Sequence, residues 1–127
     1  MAHEGYHEPV EELTDETRDM HRAIASLMEE LEAVDWYQQR VDATRDPELK
    51  RILAHNRDEE KEHAAMVLEW LRRRDPILDR ELRTYLFSQG EITTLEAEAM
   101  ERTGADTPTG APGDGSLGIG SLKNGNA

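Results

Sequence analysis

Cysteine is absent from the 127 residues, and aromatic residues make up only 5% of them. Without a thiol, the chain has no disulfide, no thiolate nucleophile, no zinc–thiolate site and no iron–sulfur cluster. No apolar run reaches the roughly 18 residues of a membrane-spanning helix, so no membrane contact is expected. Acidic residues outnumber basic ones by 28 to 15, and the net charge of -13 argues against nucleic acid and favours cations as partners.

The length allows one small domain, and the scarcity of aromatic residues predicts a thin core. Residues 1–8 are expected to form a flexible arm, and the lack of signal-peptide features there suggests a cytoplasmic location. This arm contains His3-Glu4-Gly5-Tyr6-His7, which matches the HExxH pattern of zinc proteases. That motif needs a stable helix, whereas here it contains a glycine and stops before Pro9. Adventitious metal binding is therefore favoured over a protease site.

Two long helices are predicted between Pro9 and Arg74. Helix one begins at Pro9 and runs to about Ala43, because apolar residues recur every three or four positions. These residues are Leu13, Met20, Ile24, Leu27, Leu31, Val34 and Val41. Asp46 reads as the N-cap of helix two and Pro47 as its first residue. The short connection predicts that the two helices are antiparallel neighbours.

Shorter helices are predicted beyond Arg74. Asp75-Pro76 repeats the cap-and-proline signal, so a third helix should begin there and end before Gly90. Thr93 and Glu96 have the spacing of a capping box, which suggests one more short helix to about Arg102. The predicted fold class is all-α: an antiparallel two-helix hairpin plus a short C-terminal helix, in a helical domain spanning residues 9–102.

Residues 103–127 are rich in small and polar residues, and we expect them to be disordered in the free protein. Within them, residues 113–123 carry three apolar side chains spaced by small residues, Leu117, Ile119 and Leu122. Such a segment can become ordered in the groove of a partner. The alternative is an incidental apolar cluster.

Helix two carries two ionisable residues on its apolar face. The stripe read every three to four positions is Leu49, Leu53, Asn56, Glu60, His63, Val67 and Trp70. Glu60 and His63 form an E-x-x-H pair, whose side chains share one face of a helix. Because burying a charge is costly unless it is paired or binds a metal, this pair is a candidate metal ligand set. The alternative is a partly exposed ion pair that binds nothing.

Helix one supplies further acidic residues. Glu30 lies at the edge of its apolar stripe, whereas Glu29, Glu32 and Trp36 follow a neighbouring outer face. In helix-bundle di-iron proteins, two helices each supply a Glu and two others each supply E-x-x-H. The chain therefore owns half of such a site, and a twofold-symmetric dimer would complete both the site and a four-helix bundle. A set rich in carboxylate with one imidazole per ion suits iron or manganese.

Residues 28–37 (MEELEAVDWY) and 53–66 (LAHNRDEEKEHAAM) closely resemble the encapsulated ferritins. The resemblance covers roughly residues 8–95, and the tail resembles the cargo-loading peptides of encapsulin systems. It implies a ferroxidase with two iron ions at each dimer interface, a ring of five dimers, and a location inside an encapsulin shell in the cytoplasm that stores the oxidised iron.

The resemblance also assigns roles to residues. Glu30, Glu60 and His63 match the ligands of the di-iron centre, and Tyr37 matches a tyrosine beside it. Glu29, Glu32 and Trp36 match an outer site for iron or for calcium or another divalent cation. Two other functions stay open from the residues alone: a non-catalytic acidic adaptor whose tail docks to a partner, and another di-iron carboxylate oxidase or peroxidase.

Overall fold

The computed structural model describes residues 5–106, and all regular structure in this range is helical. A short 3-10 turn, Val10–Glu12, precedes the long helices α1, Asp15–Ala43, and α2, Pro47–Arg74. The shorter helices α3, Pro76–Tyr85, and α4, Ile92–Asp106, follow. The chain divides between Asp75 and Pro76 into two compact units. The prediction of an all-α fold is confirmed.

Helix α1 begins at Asp15, so the prediction that it begins at Pro9 was wrong. Pro9 opens the 3-10 turn instead, and the backbone is extended at Leu13 and Thr14. Thr14 is the N-cap, because its hydroxyl oxygen accepts a hydrogen bond of 3.0 Å from the backbone N–H of Thr17. Because the backbone is extended at Leu13 and Thr14, α1 cannot include the residues before Thr14. Arg18 holds the turn against α1 by donating to the Val10 carbonyl at 2.6 Å.

Helix α2 has the predicted bounds. The Asp46 carboxylate accepts from the backbone N–H groups of Glu48 at 3.0 Å and Leu49 at 3.5 Å, and Pro47 occupies the first position. In the last turns, Glu69 pairs with Arg72 at 2.8 Å and with Arg73 at 2.7 Å. Hydrogen bonds from these two guanidinium groups lower the pKa of Glu69 to about 2.

Helices α1 and α2 form an antiparallel hairpin, as predicted. In three polar contacts between them, the residue number on α1 falls as the residue number on α2 rises: Lys50 with Val41, Arg57 with Gln38, and His63 with Glu30. An antiparallel arrangement is the one that produces this order.

The hairpin buries little by itself. Among the described residues, Ala64 and Leu71 are the buried apolar side chains, at 7% and 3% exposure. Residues of the two predicted apolar stripes stay open to solvent, including Leu31 at 55% and Leu49 at 42%. Two helices can cover only one side of each stripe. The thin core predicted from composition is thus present, and apolar surface is left for another partner to cover.

The second unit contains α3 and α4. Helix α3 ends at Tyr85, before Gly90, as predicted. Phe87 then has a φ of 61° and Gly90 a φ of 90°. The prediction of a capping box at Thr93 and Glu96 was wrong. The Glu91 carboxylate accepts a hydrogen bond of 3.1 Å from the backbone N–H of Thr94, and Thr93 lies inside α4. No helix in the described range is long and apolar enough to cross a membrane.

Candidate metal centre

Two carboxylates and one imidazole converge between the helices of the hairpin. Glu30 comes from the middle of α1, and Glu60 and His63 come from successive turns of α2. One ligand atom from each of the three residues lies within 4.8 Å of the other two. In the part of the chain that the structure describes, no other three His, Asp or Glu side chains meet this criterion. The E-x-x-H spacing places Glu60 and His63 on one face of α2. The packing of α1 against α2 brings Glu30 close to both of them.

The imidazole of His63 lies between the two carboxylates. Its Nδ1 atom lies 3.2 Å from Oε1 of Glu60 and 3.6 Å from Oε1 of Glu30. The side chains of Glu30 and Glu60 are about a quarter exposed, and that of His63 is 41% exposed. The group is therefore half-buried.

The three residues alter each other's protonation. A hydrogen bond with Glu60 raises the pKa of Glu30 above its ordinary 4.5, and burial and the nearby negative charge act in the same direction. The same hydrogen bond lowers the pKa of Glu60, with a further contribution from His63. The hydrogen bond to Glu60 and the charge of Glu30 raise the pKa of His63 above 6.5.

The donor set fits a first-row divalent metal ion. Carboxylate oxygens and an imidazole nitrogen are ligands of iron and manganese, and they bind a cation in their deprotonated forms. Three protein ligands leave an ion with open coordination positions. They are too few to hold two ions, because helix-bundle di-iron sites use four carboxylates and two imidazoles.

The other predicted site residues lie on α1 outside this cluster. Tyr37 is half-buried, and the guanidinium of Arg40 lies 5.2 Å from the centre of its ring. Glu29 is exposed, Glu32 is half-buried and Trp36 is 48% exposed. Their assignment to an outer metal site remains a prediction. Leu117, Ile119 and Leu122 lie outside the described residues.

Sequence reasoning missed one polar contact beside the centre. Arg57 on α2 donates from Nη1 to Oε1 of Gln38 on α1, at 2.8 Å. In the sequence, Arg57 lies one turn before Glu60 and Gln38 lies eight residues after Glu30, but no sequence pattern pairs the two residues. Only the pairing of the two helices connects them.

An all-helical hairpin with carboxylates and an imidazole converging between its helices is consistent with a ferritin-like fold. Comparison with protein families then identifies the family. Residues 5–89 match the model of the EncFtn-like family, and the chain belongs to that family. The resemblance to encapsulated ferritins is confirmed.

Similar proteins support this assignment. An "Encapsulated ferritin-like protein" of Rhodospirillum rubrum is 67% identical over 121 residues, which cover 92% of this chain and 86% of that protein. A "Ferritin-like protein" of Thermotoga maritima is 59% identical over 104 residues, covering 80% of this chain and 91% of that protein. The crystal structure of the protein ne0167 from Nitrosomonas europaea superposes with a TM-score of 0.68 and 71% identity, covering 70% of this chain and 98% of that chain.

Proposed function

We propose that the protein is a ferroxidase, which oxidises Fe²⁺ to Fe³⁺ with dioxygen at a di-iron centre formed between two subunits. The observation that carries the proposal is the convergence of Glu30, Glu60 and His63 within 4.8 Å of one another. Membership of the EncFtn-like family and the names of the similar proteins support iron as the metal.

Iron is the substrate, and each protein ligand has a role that follows from its chemistry. Glu60 lies nearest the imidazole and is the bridging carboxylate in the proposal, whereas Glu30 is a terminal ligand. His63 supplies a neutral nitrogen, for which Nδ1 is the atom that faces both carboxylates. Each Fe²⁺ gives one electron to dioxygen and leaves as Fe³⁺. The protein's own contribution is to bind the ions, and this binding releases protons from the ligands.

A second copy of the chain completes the centre. A twofold axis beside Glu60 would gather two copies of each ligand around two ions, which matches the ligand count of helix-bundle di-iron sites. The same contact would cover apolar side chains that the single chain leaves open, such as Leu31. The assembly proposed on the family resemblance is a ring of five such dimers.

Two further groups of residues complete the proposal. Glu29, Glu32 and Trp36 form an outer site at which iron, calcium or another divalent cation binds, and Tyr37 lies near the di-iron centre. A strongly acidic protein attracts such cations. The net charge of -13 supports this part of the proposal.

The proposed working location is the inside of an encapsulin shell in the cytoplasm, where the oxidised iron is stored. A relative in Myxococcus xanthus is named "Encapsulin nanocompartment cargo protein EncC"; it is 35% identical over 86 residues, covering 67% of this chain and 66% of that protein. Leu117, Ile119 and Leu122 are proposed as the apolar anchors that bind the shell protein.

Aerobic oxidation of Fe²⁺, followed by absorbance, tests the enzyme proposal. Wild type, Glu60→Ala and the control Glu48→Gln are compared at equal subunit concentration, with helicity measured by circular dichroism. Glu48 is exposed in the first turn of the same helix, so its substitution removes the same charge far from the centre. Wild type and the control should oxidise iron fast, and Glu60→Ala should not.

Equal rates for wild type and Glu60→Ala, both no faster than buffer, would contradict the ferroxidase proposal. That result would leave the non-catalytic adaptor, whose acidic surface binds cations without oxidising them. Fast oxidation that Glu60→Ala leaves unchanged would place the catalytic centre elsewhere in the protein.

A further inference from the structure

A hydrogen-bonded chain of four side chains crosses from α2 to α1 beside the metal centre. Arg57 donates from Nε to Asp58 Oδ1 at 2.9 Å and from Nη2 to Asp58 Oδ2 at 3.3 Å. Its remaining nitrogen, Nη1, donates to Gln38 Oε1 at 2.8 Å. Gln38 in turn donates from Nε2 to Asp42 Oδ1 at 3.0 Å.

Each end of this chain fixes the orientation of the contact in its middle. The bidentate contact with Asp58 holds the plane of the guanidinium, because two parallel N–H groups meet two carboxylate oxygens. The bond to Asp42 holds the Gln38 amide so that its oxygen faces Arg57. The side chain of Arg57 is only 19% exposed, whereas Gln38 is exposed, so the contact lies at the surface of the hairpin.

This contact lies about one to two helical turns from the metal ligands along the two helices. Arg57 is three residues before Glu60 on α2, a rise of about 4.5 Å, and Gln38 is eight residues after Glu30 on α1, about 12 Å. This contact lies outside the metal centre, whereas the hydrogen bond of Glu30 with Glu60 and the ion pair of His63 with Glu30, which also join α1 to α2, belong to it. A shift of one helix along the other would break the Arg57–Gln38 bond and move Glu30 away from His63.

We propose that Arg57 and Gln38 are a positioning pair, which sets the register of α1 against α2 so that Glu30 can bind the same ion as Glu60 and His63. The inference rests on the proposed metal centre. Neither residue touches the ion. Groups hydrogen-bonded to metal ligands change metal affinity by about 10- to 100-fold when they are removed. A pair that acts through the register of the two helices is expected to reach the lower end of that range.

Stability alone does not account for the pair. Polar pairs near a surface contribute little to the free energy of unfolding, whereas the distance between two metal ligands must be held to a fraction of an ångström. Removal of the pair should therefore change metal binding far more than it changes the melting temperature.

Titration with Co²⁺ under anaerobic conditions tests the inference, because its visible absorption reports the ligands without iron oxidation. The variants are Arg57→Met, Gln38→Leu, the double variant and Arg57→Lys. The matched control is Lys50→Met, which removes the other strong contact across the hairpin, from Lys50 Nζ to the Val41 carbonyl at 2.6 Å. Thermal unfolding followed by circular dichroism is measured on every protein without metal.

Arg57→Met and Gln38→Leu should each bind Co²⁺ about tenfold more weakly than wild type, with an altered absorption band. The double variant should be no weaker than either single one, because both remove the same bond. Arg57→Lys should resemble Arg57→Met, since an ammonium cannot reproduce the three-way contact of the guanidinium. Lys50→Met should bind Co²⁺ as wild type does.

Wild-type affinity in both single variants would overturn the inference, as would wild-type affinity in Arg57→Lys, which would assign the effect to charge. Equal weakening in Lys50→Met would also overturn it, since any contact across the hairpin would then have the same effect. Absence of Co²⁺ binding in wild type itself would instead contradict the proposed metal centre.

Discussion

Oε1 of Glu30 on α1 lies 3.6 Å from Nδ1 of His63 on α2. This contact joins the two long helices at the level of the candidate metal centre, and Oε1 of Glu60 lies 3.2 Å from the same nitrogen. Within this cluster the pKa values of Glu30 and His63 are raised and that of Glu60 is lowered, each chiefly by a hydrogen bond inside the cluster.

Glu30→Gln should weaken metal binding while leaving the metal-free hairpin intact. The change removes one anionic ligand, and it replaces the carboxyl whose pKa is raised by the hydrogen bond to Glu60, by burial and by the charge of Glu60. We expect Co²⁺ affinity to fall by about tenfold or more and the metal-free melting temperature to stay the same or rise slightly. Titration and thermal unfolding measure the two effects. A fall in the melting temperature with unchanged affinity would show that Glu30 has a structural role only.

The stability of the metal-free protein should depend on pH through His63. Its pKa is raised above 6.5 by the hydrogen bond to Glu60 and the charge of Glu30, so the folded state holds the proton more tightly than the unfolded state. The stabilisation is fully present below 6.5 and is lost as pH rises through the raised value. His63→Gln should remove this dependence. Thermal unfolding of both proteins in a chelating buffer from pH 5.5 to 8.5 checks the difference, and parallel curves would contradict it.

The N-cap of α2 should contribute measurably to stability. Asp46→Ala removes the acceptor for two backbone N–H groups, which costs about 1 kcal/mol in the free energy of unfolding. Asp46→Asn is the matched control, because its amide oxygen can accept the same bonds. Chemical unfolding of the three metal-free proteins measures the cost. An equal loss in both variants would mean that charge at the helix dipole, rather than the hydrogen bonds, provides the stabilisation.

Leu31 should be needed for assembly. Its side chain is 55% exposed in the single chain, and Leu31→Glu would place a charge on the surface proposed to contact a second copy. We expect the dissociation constant of the dimer to rise by about tenfold or more, because a buried leucine contributes roughly 1.5–3 kcal/mol. Sedimentation velocity measures it, with Leu31→Met as the control that keeps the apolar area. An unchanged association state in Leu31→Glu would exclude this surface from the interface.

The sequence by itself determined the features that depend on residues close together in the chain. Helical periodicity, the Asp46-Pro47 start of α2 and the pairing of Glu60 with His63 all follow from the geometry of one helix, in which residues three apart share a face. Local rules were less reliable where two signals competed. Pro9 and Thr93 both resembled helix starts, but Thr14 and Glu91 supply the side-chain acceptors in the structure.

Only the tertiary structure decided what lies between the helices. The distance from Glu30 to His63 and the contact of Arg57 with Gln38 depend on how far one helix slides and rotates against the other. Many small packing contacts set that register together, and no single pair of positions in the sequence encodes it. The ligand types were therefore readable from the sequence, whereas their meeting within a few ångströms was decided by the packing of α1 against α2.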